Sequence, residues 1–243
     1  MAAALVAAAA CAAPASAARA SATCGQGTYA YAGYDGRAAM AGVSATIEQA
    51  GPLAVHAGHV AGWIGVVDPR TGRAWLQVGL SAMPGQTTSA IYYEFSTPGG
   101  TPIYRQVEDG IAAGDPHSFA VVEQPWNPGW WVVWVDGRTA GAPLHLPGSH
   151  HRWTAQVLGE SWAGARSGPC NAYSYAFDNV QLIRASGRLT PISGGLEADP
   201  NYVVADRTHA GFVAASFGLG DFRNAQIQEP ARAPVPPQPA HTQ

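Results

Sequence analysis

The run AWLQVGL at residues 74–80 alternates large apolar side chains with small or polar ones, and this period of two decides the fold class. In a β-strand the aliphatic residues of the run share one face, which suits a hydrophobic core, while Trp75 and Gln77 lie on the opposite face. Helical periodicity is nearly absent from the chain. Short apolar and aromatic runs recur instead between Gly, Pro, Asp and Asn, which predicts an all-β protein.

The same pattern predicts a series of strands joined by short connections. Turn sequences such as Asp136-Gly137, a strong hairpin signal, lie between the runs. Strands of this number and spacing fit two packed antiparallel sheets, so we predict a two-sheet β-sandwich. The predicted strands are Thr28–Tyr34, Ala39–Gln49, His59–Val67, Ala74–Leu80, Ser89–Phe95, Pro102–Glu108, His117–Gln124, Trp130–Val135, His151–Glu160 and Ala172–Arg184.

The composition excludes several classes of protein. Of the 243 residues, 47% are hydrophobic and 12% charged, and the formal net charge is −3. A chain with this charge has no basic surface for phosphates, so nucleic acid is not expected as a partner. The composition also argues against a fibrous, coiled-coil or multi-span membrane protein. We expect a monomer without a membrane span.

The N-terminus has the features of an export signal. It is rich in Ala, and the small-residue run Ala15-Ser16-Ala17 provides a signal-peptidase site, although the usual basic start is missing. An Ala-rich leader without this role is the alternative, and the start codon itself is uncertain. We therefore predict a secreted protein organised as a signal peptide (1–17), a β-sandwich domain (24–184), a C-terminal extension packing on the sandwich (185–228) and a disordered Pro-rich tail (229–243).

Two cysteines, Cys24 and Cys170, remain after removal of the signal peptide. An even pair in an exported chain favours a disulfide, and two free thiols are the alternative. A zinc or redox site is not predicted, because no second Cys or ordered His spacing accompanies either cysteine.

Three carboxylates stand out because they lie within predicted strands, whereas most Asp residues lie in turns. They are Glu94, Glu123 and Glu160. A carboxylate on an aromatic strand face is a candidate acid or base, since partial burial raises its pKa. The alternative is a solvated Glu on an outer face.

A series of short motifs resembles the eqolisins, which are glutamic peptidases. HVAGWIGV (59–66) followed by AWLQVG (74–79) is similar to their S-x-W-V-G-I and I-x-Q-x-G patterns. IYYEFSTP (91–98) is similar to their W-Y-E-x-Y-P strand, and AQVLGE (155–160) lies where they carry A-E-W-I-V-E. The order and spacing of the motifs hold over residues 28–182.

The resemblance implies a concanavalin A-like sandwich, or jelly roll, with an acid endopeptidase site on its concave sheet. The family's catalytic Gln falls on Gln77 and its Glu on Glu160. Such a carboxylate takes a proton from the attacking water and returns it to the leaving nitrogen, while the neutral amide donates to the oxyanion. Trp63, Trp75 and Glu94 would line the cleft. The implied substrate is a polypeptide, and no cofactor is implied.

Departures from the family pattern leave other functions open. Gln156 replaces the first Glu of the last motif, and Gly159 replaces a β-branched residue. The fold could therefore have lost the activity. The alternatives are a non-catalytic module that binds a carbohydrate or a cell-surface ligand through the Trp-rich segment 126–134, and a glycosidase that uses Glu94 and Glu160.

Three histidines lie close together in sequence at His145, His150 and His151. No carboxylate or Cys accompanies them at ligand spacing, so no metal site is predicted.

Overall fold

A computed structural model describes residues 23–207 and 210–216. The predicted signal peptide and Pro-rich tail lie outside the described residues. The described part consists of strands and connections, and no helix in it is long and apolar enough to cross a membrane. In chain order the strands are β1 (Thr23–Cys24), β2 (Tyr29–Ala39), β3 (Gly42–Gln49), β4 (His59–Val67), β5 (Trp75–Ala82), β6 (Ser89–Ser96), β7 (Ile103–Ile111), β8 (His117–Glu123), β9 (Trp130–Val135), β10 (Arg138–Thr139), β11 (Leu144–His145), β12 (Thr154–Trp162), β13 (Gly168–Pro169), β14 (Ser174–Ile183), β15 (Leu189–Pro191), β16 (Leu196–Ala198), β17 (Tyr202–Arg207) and β18 (Gly211–Ser216).

Two large antiparallel sheets form the molecule. The seven-stranded sheet has the order β16-β2-β12-β4-β5-β6-β7. The nine-stranded sheet has the order β10-β9-β8-β3-β14-β18-β17, with β11 also paired to β9 and β15 to β14. A small third sheet joins β1 to β13. The predicted all-β sandwich is therefore confirmed.

The long strands lie where the alternation predicts them. His59–Val67 and Trp130–Val135 coincide with the predicted bounds, and the other long strands differ at their ends. The short strands β1, β10, β11, β13, β15 and β16 were not predicted, because runs of two or three residues carry no readable period.

The region after residue 184 contributes strands to both sheets. β16 pairs with β2 in the seven-stranded sheet, while β17 and β18 extend the nine-stranded sheet beyond β14. Phe212 of β18 packs its ring on Phe177 of β14, with the two centroids 4.7 Å apart. The boundaries proposed for separate segments remain a prediction.

The core between the sheets depends on two glycines that face tyrosines of the opposite layer. A β-carbon on Gly62 of β4 would lie 2.6 Å from the ring of Tyr175. A β-carbon on Gly159 of β12 would lie 2.7 Å from the ring of Tyr173. Both tyrosines are fully buried. The small residues therefore allow two large rings to fill the interior beneath the strands that carry the candidate site.

The predicted disulfide is present. Cys24 and Cys170 are bonded, with their α-carbons 4.8 Å apart, and the bond joins β1 to the residue that follows β13. It links the start of the described chain to the connection between β12 and β14.

Candidate active site

The outer face of the seven-stranded sheet bears a cavity of about 600 Å³. Strand alternation places the core-facing residues of β4, β5 and β12 beneath the sheet and the remaining side chains above it. All five residues that the sequence analysis assigned to the cleft line this cavity: Trp63, Trp75, Gln77, Glu94 and Glu160. Their common position is an observation, and their chemical roles remain a prediction.

Glu160 is held by two hydrogen-bonding side chains on the neighbouring strand β4. The residue is only 5% exposed. Trp63 Nε1 donates to Glu160 Oε2 over 2.8 Å, and His59 Nε2 lies 2.8 Å from Glu160 Oε1. A buried carboxylate requires such partners, because removal from water penalises its charge. The two contacts fix both oxygens of Glu160 at the cavity wall.

Sequence reasoning missed His59. It lies on the same strand as Trp63, four residues earlier, so the period of two places both side chains on the cavity face. The His59 ring packs between aromatic neighbours, 5.6 Å from Trp162 and 6.3 Å from Tyr29 between ring centroids. The alternation within HVAGWIGVV was the signal that could have identified this partner of the carboxylate.

Gln77 is oriented by a buried tyrosine. Its Nε2 donates to the hydroxyl of Tyr92 over 2.9 Å. Burial raises the pKa of the Tyr92 hydroxyl well above its usual value, with the Glu160 charge acting in the same direction, so the acceptor stays neutral. Tyr92 in turn stacks on Tyr104, with centroids 5.2 Å apart. A primary amide has two N–H donors, and the bond to Tyr92 uses one of them.

Glu94 lies directly across from Gln77 in the register of β5 and β6. Opposed side chains in antiparallel strands have β-carbons about 4.5–5.5 Å apart, so the carboxyl group and the amide group are neighbours. Burial raises the pKa of Glu94, and the negative charge of Glu160 raises it further, while His59 acts in the opposite direction. Glu94 therefore stays protonated to a higher pH than an exposed glutamate.

The backbones of Gln77 and Glu160 lie at different positions along the strand direction of the sheet. Gln77 is opposite Gly65 of β4, whereas Glu160 is opposite Ala61. Four residues of β-strand correspond to about 13 Å. The hydrogen bonds of the two side chains reduce this offset. Gln77 bonds to Tyr92, and Glu160 bonds to Trp63. Tyr92 and Trp63 lie in one row across the sheet. Both side chains therefore reach toward the row that carries Trp63 and Tyr92.

Gln156 occupies the position of β12 that shares a row with Gln77. Its Nε2 donates to Asp35 Oδ1 over 2.9 Å, at the edge of the same cavity. Asp35 of β2 is opposite Gln156, so this row holds the amides of Gln156 and Gln77 between the carboxyl groups of Asp35 and Glu94.

The Trp-rich segment lies on the other sheet. Trp131 is fully buried, stacks on Trp153 and donates to Ser149 Oγ, so this face of β9 belongs to the core. Trp126 is 81% exposed and Trp134 is at the surface. The third strand carboxylate singled out from the sequence, Glu123, also lies in this sheet and does not line the cavity.

The chain is similar in structure to glutamic peptidases. A crystal structure of scytalido-glutamic peptidase with a transition-state analogue inhibitor matches with a TM-score of 0.52 at 15% identity, over 79% of this chain and 98% of that chain. A structure of SCP-B, an eqolisin bound to the tripeptide Ala-Ile-His, matches over the same shares with a TM-score of 0.50 at 16% identity. No family model and no curated protein sequence matches. The chain has the β-sandwich fold of the eqolisin glutamic peptidases, as the motifs predicted.

Proposed function

We propose that this protein is an acid endopeptidase of the glutamic type. The observation that carries the proposal is the placement of Gln77, Glu94 and Glu160 in one cavity, with both oxygens of Glu160 fixed by His59 and Trp63. An eqolisin-like fold supports it. The cavity is large enough for a short stretch of peptide, since ligand clefts are commonly about 300–1,000 Å³.

In the proposed reaction Glu160 acts first as a base. Its carboxylate accepts a proton from a water molecule, and the water oxygen bonds to the carbonyl carbon of the scissile peptide. The carbonyl oxygen becomes an oxyanion and accepts a hydrogen bond from the remaining N–H of Gln77. The protonated Glu160 then gives its proton to the amide nitrogen as the carbon–nitrogen bond breaks. The products are a carboxylic acid and an amine.

Glu94 is assigned a supporting role beside Gln77. In its neutral form it can donate a hydrogen bond to the substrate, and it does not compete with Glu160 as a second negative charge. Its raised pKa keeps this form populated above the usual glutamate range. We therefore expect activity to decline as the pH rises through the pKa of Glu94.

Cleavage of a library of fluorogenic peptides from pH 2 to pH 7 tests the proposal. The wild type should cleave under acid conditions, and Glu160→Gln and Gln77→Ala should each reduce that activity by at least about 100-fold. Glu197→Gln is the matched control, because Glu197 lines the same cavity and is exposed. Absence of cleavage by a folded wild-type protein over this range would refute the proposal, as would full activity in Glu160→Gln.

Glycoside hydrolysis is the second candidate function. It is favoured by the two carboxyl groups of Glu94 and Glu160 in one cavity, one of them with a raised pKa. A glycosidase needs such a pair, separated by about 5–5.5 Å for retention or about 6.5–9.5 Å for inversion. Release of reducing sugar from polysaccharides would support it, and Gln77→Ala should then have little effect. Retention on insoluble polysaccharide without any hydrolysis would indicate the non-catalytic binding module.

We also propose that the protein is exported. The Ala-rich leader with its small-residue cleavage site and the disulfide support this location. N-terminal sequencing of protein from the culture medium should find a start after Ala17. Full-length protein that remains in the cell would contradict the proposal.

A further inference from the structure

We infer a divalent transition-metal site, of the kind that binds Zn²⁺, formed by Glu123, His150 and His151. The donor atoms of the three side chains all lie within 4.8 Å of one another. Glu123 ends β8, and the two histidines precede β12. Glu123 lies 27 positions before His150 in the sequence, and the fold brings the two side chains together.

The carboxylate of Glu123 is buried and oriented. Glu123 is 3% exposed. Its Oε1 accepts the backbone N–H of Gly129 over 2.7 Å and lies 2.8 Å from His150 Nδ1, while Oε2 lies 3.4 Å from the backbone nitrogen of His151. Among the described residues, His150 is the only side chain that pairs ionically with this carboxylate. A buried carboxylate needs a compensating positive charge, and an ion bound at Oε2 would supply it.

The two histidines present their rings together beside this carboxylate. Their ring centroids are 3.7 Å apart. His151 has a φ of 48°, in the left-handed region that residues with a β-carbon seldom adopt. His150 is half-exposed and His151 is exposed, so water and ions reach both rings. Stacked imidazoles repel each other when both are protonated, whereas a metal ion binds them in the neutral form.

The donor set defines the class of ion. Two imidazoles and one carboxylate suit Zn²⁺, Co²⁺ and Ni²⁺ better than Ca²⁺ or Mg²⁺, which prefer oxygen ligands. A tetrahedral Zn²⁺ about 2.0–2.2 Å from each donor holds the donors about 3.3–3.5 Å apart. From the present limit of 4.8 Å the donors have to close by about 1.3–1.5 Å, and the His151 ring has to leave its stack on His150, because a bound ion lies in the plane of each ring. His150 would exchange its hydrogen bond to Glu123 for a bond to the ion.

The site would join the end of β8 to the segment that leads into β12, the strand that carries Glu160. Bound metal should therefore stabilise the fold without entering the cavity, because none of the three ligands lines it. The inference is independent of the proposed peptidase activity, and its readout is binding rather than catalysis.

Isothermal titration of the full-length protein with ZnCl₂ at pH 7.5 tests this inference. The protein is prepared without a polyhistidine tag and treated with a chelator. We expect one equivalent of Zn²⁺ with a dissociation constant of about 10 μM or tighter. At a free Zn²⁺ concentration about 100 times that dissociation constant, the melting temperature should rise by about 5–10 °C, and chelator should reverse the change. Co²⁺ should give a visible absorption band at the same stoichiometry.

His151→Asn is the principal variant, because Asn also tolerates the left-handed conformation and the side chain is exposed. It should weaken Zn²⁺ binding at least tenfold. His145→Asn is the matched control, since His145 stacks on Trp130 and lies outside the donor cluster. It should bind as the wild type does. A wild-type constant weaker than about 100 μM, or equal binding by His151→Asn and the wild type, would overturn the inference.

Discussion

Replacing Glu160 by Gln removes the charge of the proposed base while keeping its size. In the wild type, Oε1 faces His59 Nε2 and Oε2 accepts the N–H of Trp63, each at 2.8 Å. The amide oxygen of the introduced side chain can still accept from Trp63. Its NH₂ group then faces His59, whose neutral imidazole can present an acceptor at Nε2 by changing tautomer. Both hydrogen bonds are therefore retained in a neutral form.

This geometry separates the effect on stability from the effect on activity. With both hydrogen bonds retained, Glu160→Gln should change the free energy of unfolding by less than about 1.5 kcal/mol, the range of one ordinary hydrogen bond. Glu160→Ala should reduce it by about 2–4 kcal/mol, because it leaves the buried Trp63 N–H unpaired and creates a void. The rate of peptide cleavage should fall by about 10²–10⁴-fold in Glu160→Gln, since an amide cannot take a proton from water.

The assay combines urea unfolding at pH 8, where the neutral-imidazole argument applies, with kcat/KM for a peptide substrate at the acid optimum. Glu197→Gln serves as the exposed control on the same cavity. The control should retain wild-type stability and activity. If folded Glu160→Gln cleaves peptide within threefold of the wild-type rate, the carboxylate is not the base. If the Gln variant loses as much stability as the Ala variant, the proposed exchange of hydrogen-bond partners is wrong.

Further predictions concern the other groups of the site and the disulfide. Gln77→Ala should lower kcat by about 10²–10³-fold through loss of an oxyanion donor, with little change in urea stability. Glu94→Gln should raise stability at pH 7 by less than about 1 kcal/mol and have little effect at pH 3. The sign follows because the pKa of Glu94 is raised on folding, so its contribution is fully present at low pH and is lost as the pH rises through the folded pKa. Replacing Cys24 and Cys170 together by Ser should reduce the free energy of unfolding by at most about 5 kcal/mol, measured by urea denaturation against the oxidised wild type.

Alternation of apolar and polar residues was enough to predict the long strands and their faces. In AWLQVGL the aliphatic residues are buried and Gln77 faces the cavity, as a period of two requires. The sequence pattern could not predict which strands are neighbours. The pairing of β4 with β12, which brings His59 and Trp63 to Glu160, joins residues about a hundred positions apart.

The same limit explains the contacts that sequence reasoning missed. Glu123 and His150 meet only because β8 ends beside the segment that precedes β12, and local ligand spacing carries no trace of this contact. After residue 184, β15 and β16 were missed because each is only three residues long. The six-residue strands β17 and β18 were missed because pairing with each other and with β14 places them in the sheet. The raised pKa of Glu94 likewise depends on burial in the cavity wall and then on the charge of Glu160, neither of which the sequence shows.

The central claim is that Gln77 and Glu160 act on the same peptide bond although their strands place them four residues out of register. A double-mutant cycle of kcat/KM with Gln77→Ala, Glu160→Gln and the combined variant tests it most directly. If both groups stabilise one transition state, Gln77→Ala should cause almost no further loss once Glu160 has been replaced. If the combined variant instead loses kcat/KM by the product of the two single-variant factors, Gln77 and Glu160 act independently, and this result would contradict the claim.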